Sequence, residues 1–445
     1  MHGELLRLIE EKKFSEAHAL LTDMNEVDVA EGLGAIEEDP RLFVVFRMLP
    51  KEMAAEVFAY LPHEMQQQIV EGLTDKELSR IVDELFLDDT VDFIVEMPAS
   101  IVKRVVRAAD ADTRRMINQL LLYPEDSAGS LMTIEFMEID DVWTVRRAIE
   151  AIRLKGRDKE SIDALYVTDT ARHLEGLVSL HDVLIASDEE TISDLMETDV
   201  IMVGTHDDQA DVAEKFKKYD LLTMPVVDNE KRLVGIITID DVVDVMVEET
   251  TEDIYKMAAM APSEDSYLQT SALTLAKNRV VWLVVLMISA TFTGMIITRY
   301  EAALAANVAL AAFIPMLMNT GGNAGSQTSV SVIRALTLKE VKFSDVLAVL
   351  WKEFQVSLLV GVVIVAVNFL RIWLMNGDAL IALAVSLTLL VTIIAAKLVG
   401  CTLPLVADRI GLDPAVMASP LITTIVDAVA LVVFFNMAMM LLPGL

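Results

Sequence analysis

Residues 414–445 read PAVMASPLITTIVDAVALVVFFNMAMMLLPGL, an apolar run whose only ionisable side chain, Asp427, sits near the middle. A helix that crosses a bilayer needs about 20 predominantly apolar residues, and this run supplies them. A carboxylate at that depth costs about 2.5–3.5 kcal/mol on insertion scales, so it should face a partner or water rather than lipid. Two readings are open: a protonated Asp bonded to a neighbouring helix, or a carboxylate beside a cation path. The rest of the chain then reads as the bundle that holds this Asp and the soluble apparatus that controls access to it.

Composition agrees with that division. The 445 residues are 54% hydrophobic yet carry a formal net charge of −32. Both hold at once because the two properties are segregated: charge crowds residues 1–265, and the apolar runs begin near Val280. Such acidity argues against nucleic acid, whose phosphates would be repelled, and favours multivalent cations. The single Cys401 excludes an intramolecular disulfide framework or a cysteine metal cluster. The first 30 residues mix acids and lysines without an apolar core of the signal-peptide kind, which predicts a cytosolic N-terminus. No phosphate-binding loop, aspartyl-phosphorylation motif or HExxH occurs, and the six histidines lack paired ligand spacing. An enzyme, a pump or an intramembrane protease is therefore not expected, and any transport should run downhill.

From Leu49 a short repeat appears: LPKEMAAEVFAY, LPHEMQQQIVEG, LTDKELSRIVDE and, later, MPASIVKRVV. Leu49, Leu61 and Leu73 are twelve apart, and Met97 falls two such steps further on. Each unit reads as one short helix that cannot bury its apolar side alone, so neighbours should stack into an all-α superhelix over 1–130. Asp88 and Asp92 should share a helix face, although Asp88–Asp89 equally suits a helix cap. A solvated surface is the ordinary reading of these acids and of Glu56.

Residues 131–246 repeat internally. Both halves open with Leu-Met (131–132 and 195–196), run through a helix and a β pair, and close with Gly-apolar-apolar-Ser/Thr-apolar-x-Asp, Gly176 to Asp182 and Gly235 to Asp241. This resembles a pair of α/β CBS domains, here 131–187 and 188–247. That resemblance implies adenine nucleotide, such as ATP, held through Ser179 with Asp182 and through Thr238 with Asp241. His181 and Ala164 would line such a pocket poorly, and the same hydroxyls and carboxylates suit helix capping.

The stretch 240–262 reads as an amphipathic helix, the start of an acidic connector assigned to 248–276. Asp240, Asp244, Glu248 and Glu252 lie four apart, with Asp241, Glu249 and Asp253 on the adjoining strip. Like charges at that spacing each cost about 0.2–0.5 kcal/mol. Partly hydrated Mg2+ held by one or two carboxylates would relieve them. Asp207, Asp208, Asp211 and Asp220 are further candidates across an interface.

Beyond residue 277, apolar runs fall at 280–298, 302–333, 354–376, 379–406 and 416–442, which predicts five spans. Lys277, Arg279, Arg334, Lys339, Lys342, Lys352 and Arg409 then lie on one side, against Arg299 and Arg371 on the other. The positive-inside rule places the N-terminus in the cytosol and the C-terminus outside. The second run, FIPMLMNTGGNAGSQTSVSVIRAL, should be broken by Pro315 and Gly321-Gly322, and its Asn319, Asn323, Ser326, Gln327 and Thr328 belong beside a pathway. Lys397 is expected to snorkel to the cytosolic interface.

The order of superhelix, CBS pair, acidic helix and five-helix transmembrane domain resembles the MgtE-type magnesium channels over essentially the whole chain. PMLMNTGGNAGSQTSVSVIRAL and DPAVMASPLITTIVDA carry that likeness most specifically. The resemblance implies a homodimer in the cytoplasmic membrane, with Mg2+ held between two Asp427 side chains and Asn323, Ser326, Gln327 and Ser419 lining the path. Ser326 and Ser419 stand where the family commonly has Asn, and Ala210 where an acid is expected. The resemblance also implies sensing of cytosolic Mg2+ by Glu56, Asp88, Asp92, Asp208, Asp220, Asp241, Asp244, Glu249, Glu252 and Asp253. An Na+-coupled or less selective divalent-cation transporter and a non-conducting sensor are the alternatives.

Overall fold

The computed structural model describes residues 7–441 apart from 9, 10, 12, 35–41, 96, 264–266, 269 and 418, and omits the side chains of Asn376 and Ser419. The chain forms two compact units, Met1–Met246 and Val247–Leu445.

The first unit opens with α1 (Phe14–Thr22), α2 (Glu26–Gly34), α3 (Leu42–Phe46), α4 (Lys51–Ala59), α5 (His63–Gly72), α6 (Asp75–Val82), α7 (Leu87–Val95), α8 (Ala99–Ala108) and α9 (Ala111–Leu120). The twelve-residue spacing is the spacing of helix starts. Pro50, Pro62 and Pro98 immediately precede α4, α5 and α8, with φ near −55°. Proline cannot donate a ladder hydrogen bond, so it fits where the helix has none to lose. Thr74 replaces proline before α6 and forms a capping box with Glu77. Each unit buries one apolar strip: Met53, Val57 and Phe58, then Met65, Ile69 and Val70, then Leu78, Ile81 and Val82. Helices pack on their next-but-one neighbours, α2 on α4, α4 on α6 and α6 on α8. The superhelical expectation therefore holds, with Phe58 edge-on to both Phe46 and Phe93 at the centre.

The repeat that follows builds two three-stranded sheets of one design. The first contains β1 (Phe136–Ile139), β2 (Ser161–Thr168) and β3 (Leu174–Ser179); the second contains β4 (Val203–Gly204), β5 (Thr223–Val227) and β6 (Leu233–Thr238). In each, the outer pair is parallel and the hairpin antiparallel. Helices α10 (Val145–Lys155), α11 (Leu180–Ile185), α12 (Ile192–Leu195) and α13 (Gln209–Tyr219) join the strands. The paired Leu-Met openings cross over. Thr133 bridges Ile236, and Glu197 bridges Leu177, so each half begins on the other half's sheet. The closing glycines permit this: a Cβ on Gly235 would meet Met132 Sδ at 2.6 Å, and one on Gly176 would meet Met196 Sδ at 2.9 Å.

Helix α14 (Ile239–Met257) ends five residues before Pro262, short of the expected boundary. The second unit then contains α15 (Ala272–Arg299), α16 (Glu301–Ala306), α17 (Ile314–Thr337), α18 (Val346–Asn376), α19 (Ala379–Arg409) and α20 (Ser419–Leu441). Among the described residues, four of these are long and apolar enough to cross a membrane: α15, α18, α19 and α20. The expected fifth span, α17, has 24 residues but is too polar to join them by composition.

Helix α17 and Lys397 both depart from what their local sequence suggests. Helix α17 is continuous through Pro315 and Gly321-Gly322. Pro315 occupies the first turn, where its missing N–H costs nothing. The glycines sit where neighbours press closest: a Cβ on Gly321 would meet Thr392 Cγ2 at 2.8 Å, and one on Gly322 would meet Thr423 Cγ2 at 3.0 Å. Gly400 of α19 lies against the backbone of α17, where an added Cβ would stand 2.3 Å from the Gly325 carbonyl oxygen. Small residues let membrane helices approach this closely. Lys397 does not snorkel: it is 6% exposed and pairs with Glu353 of α18.

Gly400→Val should force α17 from α19 and cost about 1–3 kcal/mol by overpacking. Gly294→Val, with nothing within 4 Å of the new Cβ, is the control. Thermal unfolding in detergent should separate the two, and equal melting temperatures would contradict the packing described.

Candidate ion path and carboxylate cluster

In the membrane unit, charge is scarce and mostly matched. Glu353 meets Lys397. Asp378 caps α19 by accepting from the Leu380 and Ile381 amides, and Asp413 takes an ion pair from Lys256 at 2.7 Å. Asp427, half-buried on α20, is different: among the described residues it has no hydrogen-bond or ion-pair partner in the chain. The residue before it, Val426, packs against Gly321 and Gly325, and Thr423 packs against Gly322. Asp427 therefore flanks the α17–α20 seam at the level of the glycines.

Helix α17 carries a second unusual feature. Its buried face is Leu317, Gly321, Ala324, Gly325, Thr328 and Val332, packed on α19 and α20. Its uncovered face runs through Asn319, Asn323, Gln327, Ser331 and Arg334, with Ser326 partly exposed beside it. Within the helix the Ser331 hydroxyl donates to the Gln327 carbonyl, and Asn323 donates to Asn319 at 3.4 Å. Side-chain amides have more donors and acceptors than these bonds use, so such a stripe is costly against lipid. It requires water or another protein surface. Ser419 lies outside the described side chains.

In the first unit, acids gather where α7, the start of α14 and the loop before β2 meet. Asp88 is 7% exposed. Burial raises its carboxyl well above the usual range, and Asp241, Glu160 and Asp89 add to the rise. Burial and then Asp240 and Glu135 push Asp89 up to about 6. Asp241 is pushed to about 7 by burial and Asp240, against the Thr238 hydroxyl, which donates to it at 2.9 Å. Glu160 reaches about 8 through burial and then Asp89, Asp240, Asp241 and Glu135. Its Oε2 is buried without a hydrogen-bond partner among the described residues.

The predicted acids thus divide. Asp88 and Asp241 are brought together, with Asp92 exposed on α7 but within electrostatic reach of Asp241. Asp244 lies one turn beyond Asp240 with its side chain exposed, and its carboxyl is raised by partial desolvation and by that neighbour. Glu56 stands apart, raised by burial and by Glu26 and Glu52. Asp208 caps the N-terminus of α13, and Asp220 ends that helix in a left-handed conformation, so the two lie a helix length apart. Glu249, Glu252 and Asp253 belong to the second unit; Glu252 pairs with Lys256, and burial, then Asp413, raises Asp253. Ser179 caps α11, accepting from the Asp182 amide and donating to its carboxylate, and the Thr238 hydroxyl donates to the Asp241 carboxylate. Glu135 and Glu160 were not singled out from sequence, whereas Asp89 was, as a surface acid or helix cap. Glu135 reaches the Leu87 amide at the start of α7, a link no local spacing announces.

Among the described residues, no three His, Cys, Asp or Glu side chains are gathered to hold a metal ion. Mg2+ is usually met by only one or two carboxylates and keeps several waters. Desolvated carboxylates facing one another, one with an orphaned oxygen, suit such a hard cation.

A protein with this soluble cluster and a carboxylate in its bundle belongs among divalent-cation transporters, and comparison with known proteins agrees. A family model described as a divalent cation transporter, MgtE, matches residues 314–437, the MgtE intracellular N domain matches 4–126, and CBS domains match 128–189 and 192–248. The magnesium transporter MgtE of Thermus thermophilus is 36% identical over 90% of each chain. That of Bacillus subtilis is 30% identical, covering 88% of this chain and 90% of its own. A crystal structure of the cytosolic domain of the Mg2+ channel MgtE in complex with ATP shares 33% identity. It superposes with a TM-score of 0.52, covering 55% of this chain and all of that one. The chain belongs to the MgtE family of magnesium transporters, which are membrane proteins.

The cluster dictates a pH response. Asp89, Asp241 and Glu160 hold their protons to higher pH when folded than when unfolded. Their contribution to stability is full below the ordinary carboxylate range and is lost as pH rises through about 6, 7 and 8. Residues 1–246 in chelator should melt ~5 °C or more lower at about pH 8 than at about pH 5. Millimolar Mg2+ should raise the melting temperature at the higher pH and barely change it at the lower. Equal effects of Mg2+ at both would refute the assignment.

Proposed function

We propose that two copies of this chain form a Mg2+-selective channel in the cytoplasmic membrane, with the N-terminus cytosolic and the C-terminus external. The observation that carries this reading is the uncovered polar stripe of α17, with Asp427 on the adjoining α20 having no hydrogen-bond or ion-pair partner among the described residues. A second copy placed across that stripe would enclose a wet path. Two Asp427 carboxylates would face a Mg2+ that retains its water, with Asn323, Ser326, Gln327 and Ser419 contacting the hydration shell. A divalent cation entering a negative interior gains about 4.6 kcal/mol per 100 mV, twice the single-charge value, so no coupled ion is needed.

The acids of the soluble unit and of α14 act as the sensor in this reading. Asp88, Asp92 and Asp241 form its centre; Glu56, Asp208, Asp220, Asp244, Glu249, Glu252 and Asp253 complete it. Cytosolic Mg2+ neutralises them and favours a closed arrangement, whereas scarcity lets like charges repel and the path open. Adenine nucleotide binds the CBS pair at Ser179 and Asp182, in keeping with the ATP complex of the related cytosolic domain.

Proteoliposomes clamped with potassium and valinomycin, free of sodium, test this. Wild type should pass Mg2+ under voltage, and Asp427→Asn should fall to the level of protein-free liposomes. Removal of residues 1–246 should abolish inhibition by Mg2+ on the cytosolic face. Flux that needs sodium on the opposite side would replace the channel with an exchanger.

A further inference from the structure

The mechanism above leaves unused the buried pair Glu353–Lys397. Lys397 Nζ of α19 lies 3.3 Å from Glu353 Oε2 of α18 and 3.0 Å from Thr328 Oγ1 of α17. The Thr328 hydroxyl in turn donates to Glu353 Oε2 at 3.0 Å. One hydroxyl therefore accepts from the cation and donates to the anion, which uses both of its capacities. Thr328 is 1% exposed and Lys397 6%. Three helices meet at this point, and α17 contributes no charge of its own.

The location gives the pair its significance. One turn away, Gly325 and Gly400 bring the backbones of α17 and α19 into contact. The next residue, Ser329, donates to the Met417 carbonyl at 3.2 Å, in the turn that leads to α20. On the other side of Thr328 is Gln327, which lies on the uncovered polar stripe. Gly321, Gly322, Ala324 and Gly325 bring α17 close against its neighbours, and at the next turn the face carries the polar Thr328 and Ser329 in place of large apolar side chains. Hydrogen bonds are directional, and a low dielectric strengthens them.

From this geometry we infer that the Glu353–Lys397 pair, clasped through Thr328, is a positioning device that fixes the rotation of α17 about its axis. It thereby holds Asn319, Asn323 and Gln327 toward the ion path. The inference rests on the α17 stripe lining that path, but its test does not depend on transport.

The test uses full-length protein in proteoliposomes, with Ser331→Cys on the stripe as a reporter of water access. Cys401 is buried, and the parent chain supplies the labelling background. A charged, water-soluble thiosulfonate should label Ser331→Cys rapidly. Thr328→Val keeps both charges and removes only the clasp; it should slow labelling several-fold and lower maximal Mg2+ flux. Its melting temperature should stay within a few degrees of wild type, and Thr328→Ser should restore both readouts. Unchanged labelling in folded Thr328→Val would overturn the positioning role whatever the flux does. Slowed labelling in a protein whose wild type passes no Mg2+ would uphold the positioning role and remove the channel reading. If Thr328→Val fails to fold, the double change Glu353→Gln with Lys397→Met, which leaves no bare charge, is read in its place. Wild-type labelling by that folded double variant would overturn the inference.

Discussion

A carboxylate taken out of water demands a cation, a donor or retained solvent, and the placement of that demand organises this chain. In the membrane unit, Glu353 has Lys397, Asp378 has helix amides and Asp413 has Lys256. Asp427 alone among these is left without a partner in its chain among the described residues. Leaving one partner of a buried pair unmatched ordinarily costs several kcal/mol. A membrane protein that retains such a group must satisfy it from outside the subunit, by water, by an ion or by a second copy.

The soluble unit applies the same constraint with opposite intent. Asp88, Asp89, Glu160 and Asp241 are placed together and desolvated, so their pKa values rise instead of being neutralised by lysine or arginine. The cost of that arrangement is what a divalent cation can relieve, and relief of strain is how a ligand shifts one conformation over another. A cluster already satisfied by basic side chains would bind Mg2+ with no conformational consequence. Among the described residues, none of Asp88, Asp89, Glu160 and Asp241 forms an ion pair with a basic side chain, which leaves the cost for a cation to relieve in the reading proposed above.

Much of the architecture was legible in the sequence because it repeats or segregates. Twelve-residue spacing marked the helix starts at 51, 63 and 75, and the doubled Gly-to-Asp motif marked two sheets of one topology. Asp427 was conspicuous because nothing ionisable surrounds it. What stayed hidden depends on contacts between distant segments. Glu353 and Lys397 lie 44 residues apart, the first at the edge of one apolar run and the second inside the next, and Lys397 alone looks like an interfacial lysine. Two opposite charges in neighbouring spans were nevertheless a usable signal. Pro315 and Gly321-Gly322 suggest breaks when read locally. Packing decides otherwise, because the glycines admit Thr392, Thr423 and Val426 against the helix. Glu160 gave no warning in its own neighbourhood, since its like-charged partners come from α7 and α14.

The central claim is that Mg2+ itself carries charge through a path lined by Asp427. Reversal potentials in planar bilayers, with cytosolic Mg2+ chelated to open the path, test it most directly. For a divalent carrier, the reversal potential should move by about 30 mV for each tenfold change in the external Mg2+ gradient, and replacing the anion should not alter it. A reversal potential that ignores the Mg2+ gradient, or that follows sodium or the anion, would contradict the account.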